Sequence, residues 1–458
     1  MKIKYFIVLI GLVVCLSSCS KKDDNNDPGD PTDTIPPVTW KCDSLKIVID
    51  EELTDNELLD LVQSKTLEYF WSFAEPQSGM ARERNTSGNL VTTGGSGFGI
   101  MALIAGAERG FIDQDEVLQR MLKICNFLNA ADRYHGAWSH WIDGTTGKTM
   151  PFSTKDNGGD LIETAFLVQG LISAREYFSG STVLEDSLRN FIDTLWYGVE
   201  WDWYTQDQNV LYWHWSPDYN FEMNHRIQGW NEGLIAYVLA AGSPTHSISR
   251  AVYDEGWANN GGIKNGKQFW GIELPLGPDY GGPLFFSHYS FLGLDPRNLE
   301  DQYANYLVQN TNHAQIQHTY SIKNAYDFCY YSDTCWGLTA SDDPDVGYQA
   351  HAPFNIWGID NGTITPTAAL SSFPYTPEES MKALRFFYYY LNDNVWGNYG
   401  FKDAFNLEKK WYASSYLAID QGPIVVMIEN YRSELLWNTF MNNRDVQSGL
   451  DKLGFTYK

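Results

Sequence analysis

The sequence predicts an all-α protein, an (α/α)6 toroid in which six outer and six inner helices alternate around a common axis, with short β-hairpins in the rim loops. Two observations predict it. Amphipathic segments with polar caps alternate along the chain with segments that are apolar on nearly every side, and helices of the second kind belong in a protein interior. No second linker or composition break follows residue 49, so residues 49–458 are predicted to form one domain.

The predicted outer helices begin at recognisable caps. Thr54-Asp55-Asn56-Glu57 is a capping box, and Thr376-Pro377-Glu378-Glu379 repeats it with Pro at the first helical position. These helices are expected near residues 55–74, 114–130, 182–197, 245–258, 299–310 and 377–392.

The predicted inner helices follow Gly-rich turns and are apolar or small on most sides. They are expected near residues 97–109, 160–175, 230–241, 283–292, 333–340 and 423–438. Alternating aromatic residues further predict two hairpins, one over 138–152 and one joining 201–204 to 210–215. Connections of this length are uncommon without a function.

Composition excludes several classes of protein. The chain of 458 residues has 57 acidic and 32 basic side chains and a net charge of −25, which disfavours nucleic acid as a partner. The run Gly94–Gly99 follows no predicted strand and precedes no Lys, so it is not a phosphate loop. The nine His show no metal-binding spacing, and neither a metal nor a cofactor is expected.

The N-terminus is typical of an exported lipoprotein. Residues 1–19 combine Lys2 and Lys4 with a short apolar run, and Leu16-Ser17-Ser18-Cys19 resembles a bacterial lipobox in which Cys19 carries the lipid. A plain signal peptide is the alternative. Residues 20–48, rich in Asp, Pro and Thr, are predicted to be a flexible acidic tether. The expected location is the outer membrane of a gram-negative bacterium, at the cell surface or on the periplasmic face, with the lipid as the only membrane contact.

Four cysteines remain after the leader: Cys42, Cys125, Cys329 and Cys335. They are interpreted as structural residues. Cys329 and Cys335 could close a short loop in an oxidising compartment.

Three acids lie within eight residues, in the segment Asp156-Asn157-Gly158-Gly159-Asp160-Leu161-Ile162-Glu163. If a helix begins near Asn157, Asp156, Asp160 and Glu163 share one face. One or two of them could simply cap the helix. Three converging carboxylates repel one another, and such a cluster is tolerated more readily at a functional site.

Other acids precede other predicted inner helices. Glu232 lies in Gly229-Trp230-Asn231-Glu232, and Asp420 in Asp420-Gln421-Gly422-Pro423. In a toroid the inner helices run parallel, so these acids are expected to meet on one rim. Carboxylates across a cleft are what glycoside hydrolysis requires. The chain also holds 17 Trp, 28 Tyr and 24 Phe, and many of them crowd the connections 134–152 and 201–221, where they could contact sugar rings.

The same motifs, with Thr93–Gly99, Asp360-Asn361-Gly362-Thr363 and Ile419–Pro423, resemble the bacterial glucoamylase-like family that contains β-1,2-glucan hydrolases (glycoside hydrolase family 144). The likeness extends in order over about residues 50 to 440. It implies an (α/α)6 barrel that cleaves β-1,2-glucan or its oligosaccharides with inversion at the anomeric carbon. The family's functional acids match Asp156, Asp160, Glu163 and Glu232.

The sequence therefore predicts an inverting glycoside hydrolase, acting as a monomer on β-glucan chains. Glu232 is the expected general acid, and Asp156, Asp160 and Glu163 are expected to supply the base and hold water. The expected sugar contacts are Trp138, His214, Trp215, Arg226, Tyr289 and Asp420. Two alternatives stay open: a glycosidase of other specificity on the same scaffold, such as a β-glucosidase, and a non-catalytic surface glycan-binding lipoprotein.

Overall fold

The computed structural model describes residues 42, 44–49, 52–353 and 358–457. They belong to one compact unit, Trp40–Lys458. The predicted leader with Cys19, and residues 20–41 of the predicted tether, lie outside the described residues.

Helices dominate the described residues. They are α1 Asp55–Trp71, α2 Thr93–Glu108, α3 Gln114–Ala130, α4 Leu161–Tyr177, α5 Val183–Tyr197, α6 Leu234–Gly242, α7 Tyr306–Lys323, α8 Pro366–Leu370, α9 Pro377–Phe386, α10 Asn392–Val395, α11 Ala418–Ser433, α12 Leu435–Met441 and α13 Arg444–Leu453. Within the described ranges, no helix is both long and apolar enough to cross a bilayer.

Short antiparallel strands occupy the connections between helices. They are β1 Leu90–Thr92, β2 Trp141–Asp143, β3 Thr149–Met150, β4 Gly159–Asp160, β5 His214–Trp215, β6 Lys264–Phe269, β7 Ile272–Leu276, β8 Ala340–Asp343, β9 Gly347–Ala350, β10 Thr363–Ile364, β11 Trp396–Gly397, β12 Gly400–Phe401, β13 Phe405–Asn406 and β14 Trp411–Tyr412. They pair as β1-β2-β3, β10-β13-β14, β11-β12, β4-β5, β6-β7 and β8-β9.

The predicted division into two kinds of helix is confirmed for the best-patterned segments. Helices α2, α4, α6 and α11 are buried along most of their length, whereas α3 and α5 bury one face. Helices α2 and α4 touch through their backbones. A Cβ on Gly97 would lie 2.1 Å from the carbonyl oxygen of Phe166, and one on Gly170 would lie 2.2 Å from that of Gly97, so only glycine permits this packing.

Several predicted helices are wrong. Residues 333–340 form no helix, because Gly337 has a φ of 121° and β8 begins at Ala340. Residues 283–292 form two 3-10 turns, Leu284–Ser287 and Ser290–Leu292, and 245–258 is reduced to a π-turn at Val252–Trp257.

Helix α7 begins seven residues later than the helix predicted over 299–310 and runs to Lys323. Much of its buried face is polar: Gln309, His313 and Gln317 lie in the interior and bond to backbone groups or to Ser287. A pattern of apolar spacing could not detect such a face.

The hairpin predicted over 138–152 is present as β2-β3, and β1 adds a third strand. The second predicted hairpin is wrong, because Trp203–Thr205 is a 3-10 turn and β5 pairs with β4 instead. The sequence left open whether Cys329 pairs with Cys335, and the structure shows that it does not. Cys329 forms a disulfide with Cys42, with Cα atoms 5.9 Å apart, while Cys125 and Cys335 are buried free thiols.

Candidate active site

Asp160 caps the buried helix α4. Its Oδ1 accepts hydrogen bonds from the backbone N–H groups of Ile162 and Glu163, at 3.0 and 2.9 Å. The helix begins at Leu161, so Asp156 lies in the loop before β4. The prediction that three acids share one helical face is therefore wrong in detail. The structure nevertheless brings their carboxyl groups together. The loop before β4 and the start of α4, rather than the spacing of one helix, set their positions.

Two histidines join these carboxylates. His140 Nδ1 lies 2.9 Å from Asp160 Oδ2, and its Nε2 lies 4.0 Å from Glu163 Oε1. His214 Nε2 lies 3.5 Å from Asp156 Oδ2 and 3.8 Å from Asp160 Oδ2. We call His140, Asp156, Asp160, Glu163 and His214 the acid–histidine cluster.

Sequence reasoning predicted His214 but missed His140. The sequence signal that could have indicated His140 is its position in an aromatic connection, directly before Trp141, where β2 begins. It was missed because no sequence spacing links it to Asp160, twenty positions away. The contact arises only when the loop before β2 packs against the start of α4.

The Gly-rich run at the start of α2 holds Glu163. The Gly94 backbone N–H donates to Glu163 Oε2 at 2.6 Å, and the Thr92 hydroxyl lies 3.3 Å from the same oxygen. A Cβ on Gly94 would lie 2.8 Å from this oxygen. Glycine at position 94 lets the backbone approach the carboxylate, and a Cβ there would displace Glu163, which gives the run a positioning role.

The histidine charges separate the pKa values of the cluster. Burial alone lowers the pKa of His140, but the charges of Glu163, Asp160 and Asp156 and the hydrogen bond to Asp160 raise it to about 10. Burial alone raises the pKa of Asp160, yet the bond to His140 and the nearby imidazoles hold it below its usual value.

The pKa values of the other two acids are raised, and that of the other histidine is lowered. Burial, followed by the charge of Asp160, raises the pKa of Asp156 to about 7. Burial is also the main reason why the pKa of Glu163 is raised, and burial lowers the pKa of His214 to about 4. The cluster thus combines an ionised Asp160, a charged His140 and a neutral His214.

Glu232 lies in the turn before α6, which begins at Leu234. Its backbone carbonyl accepts from the Ser290 hydroxyl at 2.5 Å, and its side chain is half-buried. Loss of hydration raises the pKa of Glu232 to about 7, and the charges of Asp160 and Glu163 add to this. The carboxyl group of Glu232 is therefore within electrostatic range of the cluster and protonated for part of the time at neutral pH.

Asp420 belongs to a second group of carboxylates. It lies in the first turn of α11 and is 1% exposed. Burial, and then the charge of Asp403, raises the pKa of Asp420 well above its ordinary value. Asp403 Oδ2 accepts from the Asp342 backbone N–H at 2.6 Å, and Asp342 also binds Arg84 at 3.1 Å.

Tyr289 lies between the two groups of acids. Its ring packs on Phe98, Phe166 and Phe285, and burial followed by the charges of Asp420, Tyr348 and Glu232 raises the pKa of its hydroxyl well above its ordinary value. The carboxyl groups of Asp420 and Glu232 are therefore both within electrostatic range of the Tyr289 hydroxyl.

The other predicted sugar contacts are placed differently. Trp138 is fully buried, its indole N–H donates to the Leu128 carbonyl at 3.2 Å, and Arg133 covers its ring at 4.1 Å. It is a core residue, and its ring has no face open to a sugar. Arg226 is exposed, and its Nε donates to the Tyr212 hydroxyl at 3.1 Å rather than to an acid of the site.

Trp215 and His214 lie on opposite faces of the β4-β5 ladder. Asp160 pairs with His214 and Gly159 with Trp215, and successive side chains of a strand point to opposite sides. His214 therefore faces the acids. Trp215 lies on the other side, with its ring 4.9 Å from that of His135.

His140, Asp156 and Asp160 also have the spacing of a metal site, since one potential ligand atom from each lies within 4.8 Å of the others. This grouping was not predicted from the sequence. Two carboxylates and an imidazole suit a divalent cation, although the same residues also form a complete ion-paired cluster without one.

Known proteins resemble this chain over most of its length. The family model described as "Putative glucoamylase" matches residues 224–444. A solved protein from Bacteroides uniformis, described as a "putative glucoamylase", is 54% identical, with a TM-score of 0.86, over 89% of this chain and 99% of its own. The endo-β-1,2-glucanase of Chitinophaga pinensis, solved with sophorotriose and glucose, is 51% identical, with a TM-score of 0.86 and coverage of 89% and 99%.

A curated relative is the exo β-1,2-glucooligosaccharide sophorohydrolase (non-reducing end) of Parabacteroides distasonis, which is 50% identical over 422 residues. The match covers 88% of this chain, which spans 58% of the length of that relative. The predicted family resemblance is confirmed by these likenesses, and the chain belongs to the "Putative glucoamylase" family, whose relatives include β-1,2-glucan hydrolases.

Proposed function

We propose that the protein is an inverting glycoside hydrolase that cleaves β-1,2-linked glucan or its oligosaccharides. The observation that carries the proposal is that Glu232, with a pKa of about 7, lies within electrostatic range of carboxyl groups whose pKa values the charge of His140 lowers. An acid that keeps its proton and an anionic group that can accept one are the two requirements of this reaction. The β-1,2-glucanase and sophorohydrolase relatives support the choice of linkage.

In the proposed mechanism Glu232 donates its proton to the glycosidic oxygen as the bond to the anomeric carbon breaks. A water molecule attacks that carbon from the opposite side and gives its proton to the cluster. Asp160 already binds two backbone N–H groups and His140, so it serves to position its neighbours. Asp156, and Oε1 of Glu163, are the oxygens left to accept the proton. His214, Tyr289 and Asp420 are proposed to bind the sugar.

We also propose the finer architecture and location that the sequence predicts. The buried helices α2, α4, α6 and α11 would be inner helices of an (α/α)6 toroid, since Glu163, Glu232 and Asp420 lie at the N-terminal ends of three of them. Residues 49–458 would be a monomeric catalytic domain, tethered by 20–48 to a lipid on Cys19. Retention of the wild type, but not of Cys19→Ala, in a washed outer-membrane fraction would test the anchor, and light scattering would test the monomer.

The decisive experiment is incubation of the purified protein with linear β-1,2-glucan. We expect new reducing ends, and NMR of the first products should show the α-anomer, opposite to the β-linkage. Starch and β-1,3-glucan are the control substrates. Cleavage of a control substrate alone would favour a glycosidase of other specificity, and binding of glucan without cleavage would favour a glycan-binding lipoprotein. Chain-length analysis of the products distinguishes endo from exo cutting.

A further inference from the structure

The hairpin β6-β7 carries an exposed tryptophan in an unusual turn. Phe269 pairs with Ile272, so the loop consists only of Trp270 and Gly271, with φ angles of 51° and 82°. Two-residue loops with both φ angles positive favour Asn, Asp or Gly at the first position. A bulky residue there is strained, and Trp270 is also 40% exposed.

A second aromatic residue with a left-handed backbone lies against it. Tyr280 has a φ of 64°, and its ring centroid lies 5.6 Å from that of Trp270 and 4.3 Å from that of Phe269. We call Trp270 and Tyr280 the aromatic platform. Strained residues of this kind persist where the surroundings enforce them, and they concentrate at functional sites.

An ion pair joins the hairpin to the segment that precedes Tyr280. Both carboxylate oxygens of Asp279 lie 2.9 Å from Lys267 Nζ, and Asn265 Nδ2 donates to the Gly277 carbonyl at 2.9 Å. These contacts fasten the segment before Tyr280 along the hairpin. The ring of Tyr280 also packs on Phe269 and that of Trp270 on Tyr320 before any ligand binds, which reduces the entropy lost on binding.

The base of the hairpin contacts the segment that carries Glu232. A Cβ on Gly277 would lie 2.7 Å from Cδ1 of Trp230, two residues before Glu232. At about 3.3 Å per residue, the loop lies about 20 Å along the hairpin from this contact. That distance is too long for the platform to touch the cleaved bond, but a polysaccharide bound at Glu232 could extend over it.

We propose that the aromatic platform binds a glucose unit of the substrate remote from the cleaved bond, so that the enzyme favours long chains over short ones. This inference rests on the proposed function. The occupant is a glucan because its rings have apolar faces that cover an indole, and because an uncharged chain is not repelled by a protein of net charge −25. A second copy of the chain, covering the exposed tryptophan, is the alternative occupant.

The test uses Trp270→Asn, which removes the indole and supplies a residue suited to the turn, so that folding is preserved. Trp270→Tyr keeps an aromatic ring. Tyr431→Ala is the matched control, since Tyr431 is 44% exposed at the end of α11, distant in sequence from the hairpin. The measurements are kcat and KM for sophorotriose and for long linear β-1,2-glucan, and calorimetric binding of the long glucan in a Glu232→Gln background.

For Trp270→Asn we expect KM and Kd for the long glucan to rise about 10-fold, with no change for sophorotriose or in kcat. Trp270→Tyr should recover most of the affinity, and Tyr431→Ala should match the wild type. Equal KM values for Trp270→Asn and the wild type on long glucan would overturn the inference. So would a wild-type dimer on a sizing column that Trp270→Asn converts to a monomer. If the wild type cleaves neither substrate, the proposed function itself fails.

Discussion

The imidazole of His140 connects two buried carboxylates: its Nδ1 lies 2.9 Å from Asp160 Oδ2 and its Nε2 lies 4.0 Å from Glu163 Oε1. The charge of His140 thereby keeps Asp160 ionised and lowers the pKa of Glu163 against the effect of burial. Without it, their repulsion and burial would drive proton uptake.

His140→Gln should lower kcat and move the acidic limb of the pH–rate profile to higher pH, because the charge of His140 lowers the pKa values of the proposed bases, Asp156 and Glu163. His140 has a folded-state pKa of about 10 against 6.5 for the free side chain. Its contribution to stability is therefore complete below about pH 6.5 and is lost as the pH rises through about 10. Melting curves of both proteins between pH 6 and 10 should converge at the alkaline end. His135→Gln, whose ring bonds Glu200 instead, is the control.

Glu232→Gln should reduce kcat on β-1,2-glucan by about 10²–10⁴-fold, the usual contribution of a general acid. Sophorotriose binding should persist. An aryl glycoside, whose leaving group needs no proton, should recover most of the lost rate. In the wild type, kcat/KM should fall as the pH rises through about 7, where Glu232 loses its proton. Glu255→Gln, at an exposed carboxyl in the π-turn, is the matched control. Full activity of Glu232→Gln on glucan would contradict the assignment.

Asp420→Asn should stabilise the protein at pH 8 while weakening substrate binding. The pKa of Asp420 is raised well above 3.8 in the folded state, and that of Asp403 to about 7. The folded protein therefore holds more protons than the unfolded chain, and stability falls as the pH rises from about 4 through 7. We expect a rise in Tm of about 1–3 °C at pH 8. No difference is expected near pH 4, and a lower Tm at pH 8 would refute the account.

Dialysis against EDTA should leave the rate unchanged, because the proposed reaction uses only carboxyl and imidazole groups. The spacing of His140, Asp156 and Asp160 makes this test informative. Loss of activity on chelation, and recovery with one divalent cation, would instead assign these three residues to a metal centre.

Cys42→Ser should destabilise the protein without changing kcat. The disulfide to Cys329 joins positions 287 residues apart, and a cross-link of this kind typically contributes about 2–4 kcal/mol to the free energy of unfolding. Denaturant unfolding of Cys42→Ser, Cys329→Ser and the double variant measures it. The three should agree, since each removes the same bond. A large change in kcat would indicate an unforeseen effect on the active site.

Local signals predicted the elements that depend on local interactions. The capping box at Thr54 and Glu57 forms, and α1, α3 and α5 lie where apolar spacing and polar caps place them. Helix α7 is predicted too early and too short, because many of its buried side chains, such as Gln309, His313 and Gln317, are polar and have partners distant in sequence. The acids at 156, 160 and 163 were found because Gly and Asp at the start of an apolar helix are visible in one segment.

Composition and pattern alone determined that the chain is mostly helical, and residue motifs indicated its family and four acids. The tertiary structure decided which side chains meet those acids. In the folded chain His140 hydrogen-bonds Asp160, and Trp215 points to the side of the β4-β5 ladder opposite the acids. Trp138 is buried in the core, and Cys42 forms a disulfide with Cys329. These contacts join positions that no local periodicity relates, because burial and charge pairing act between segments that only the folded chain brings together.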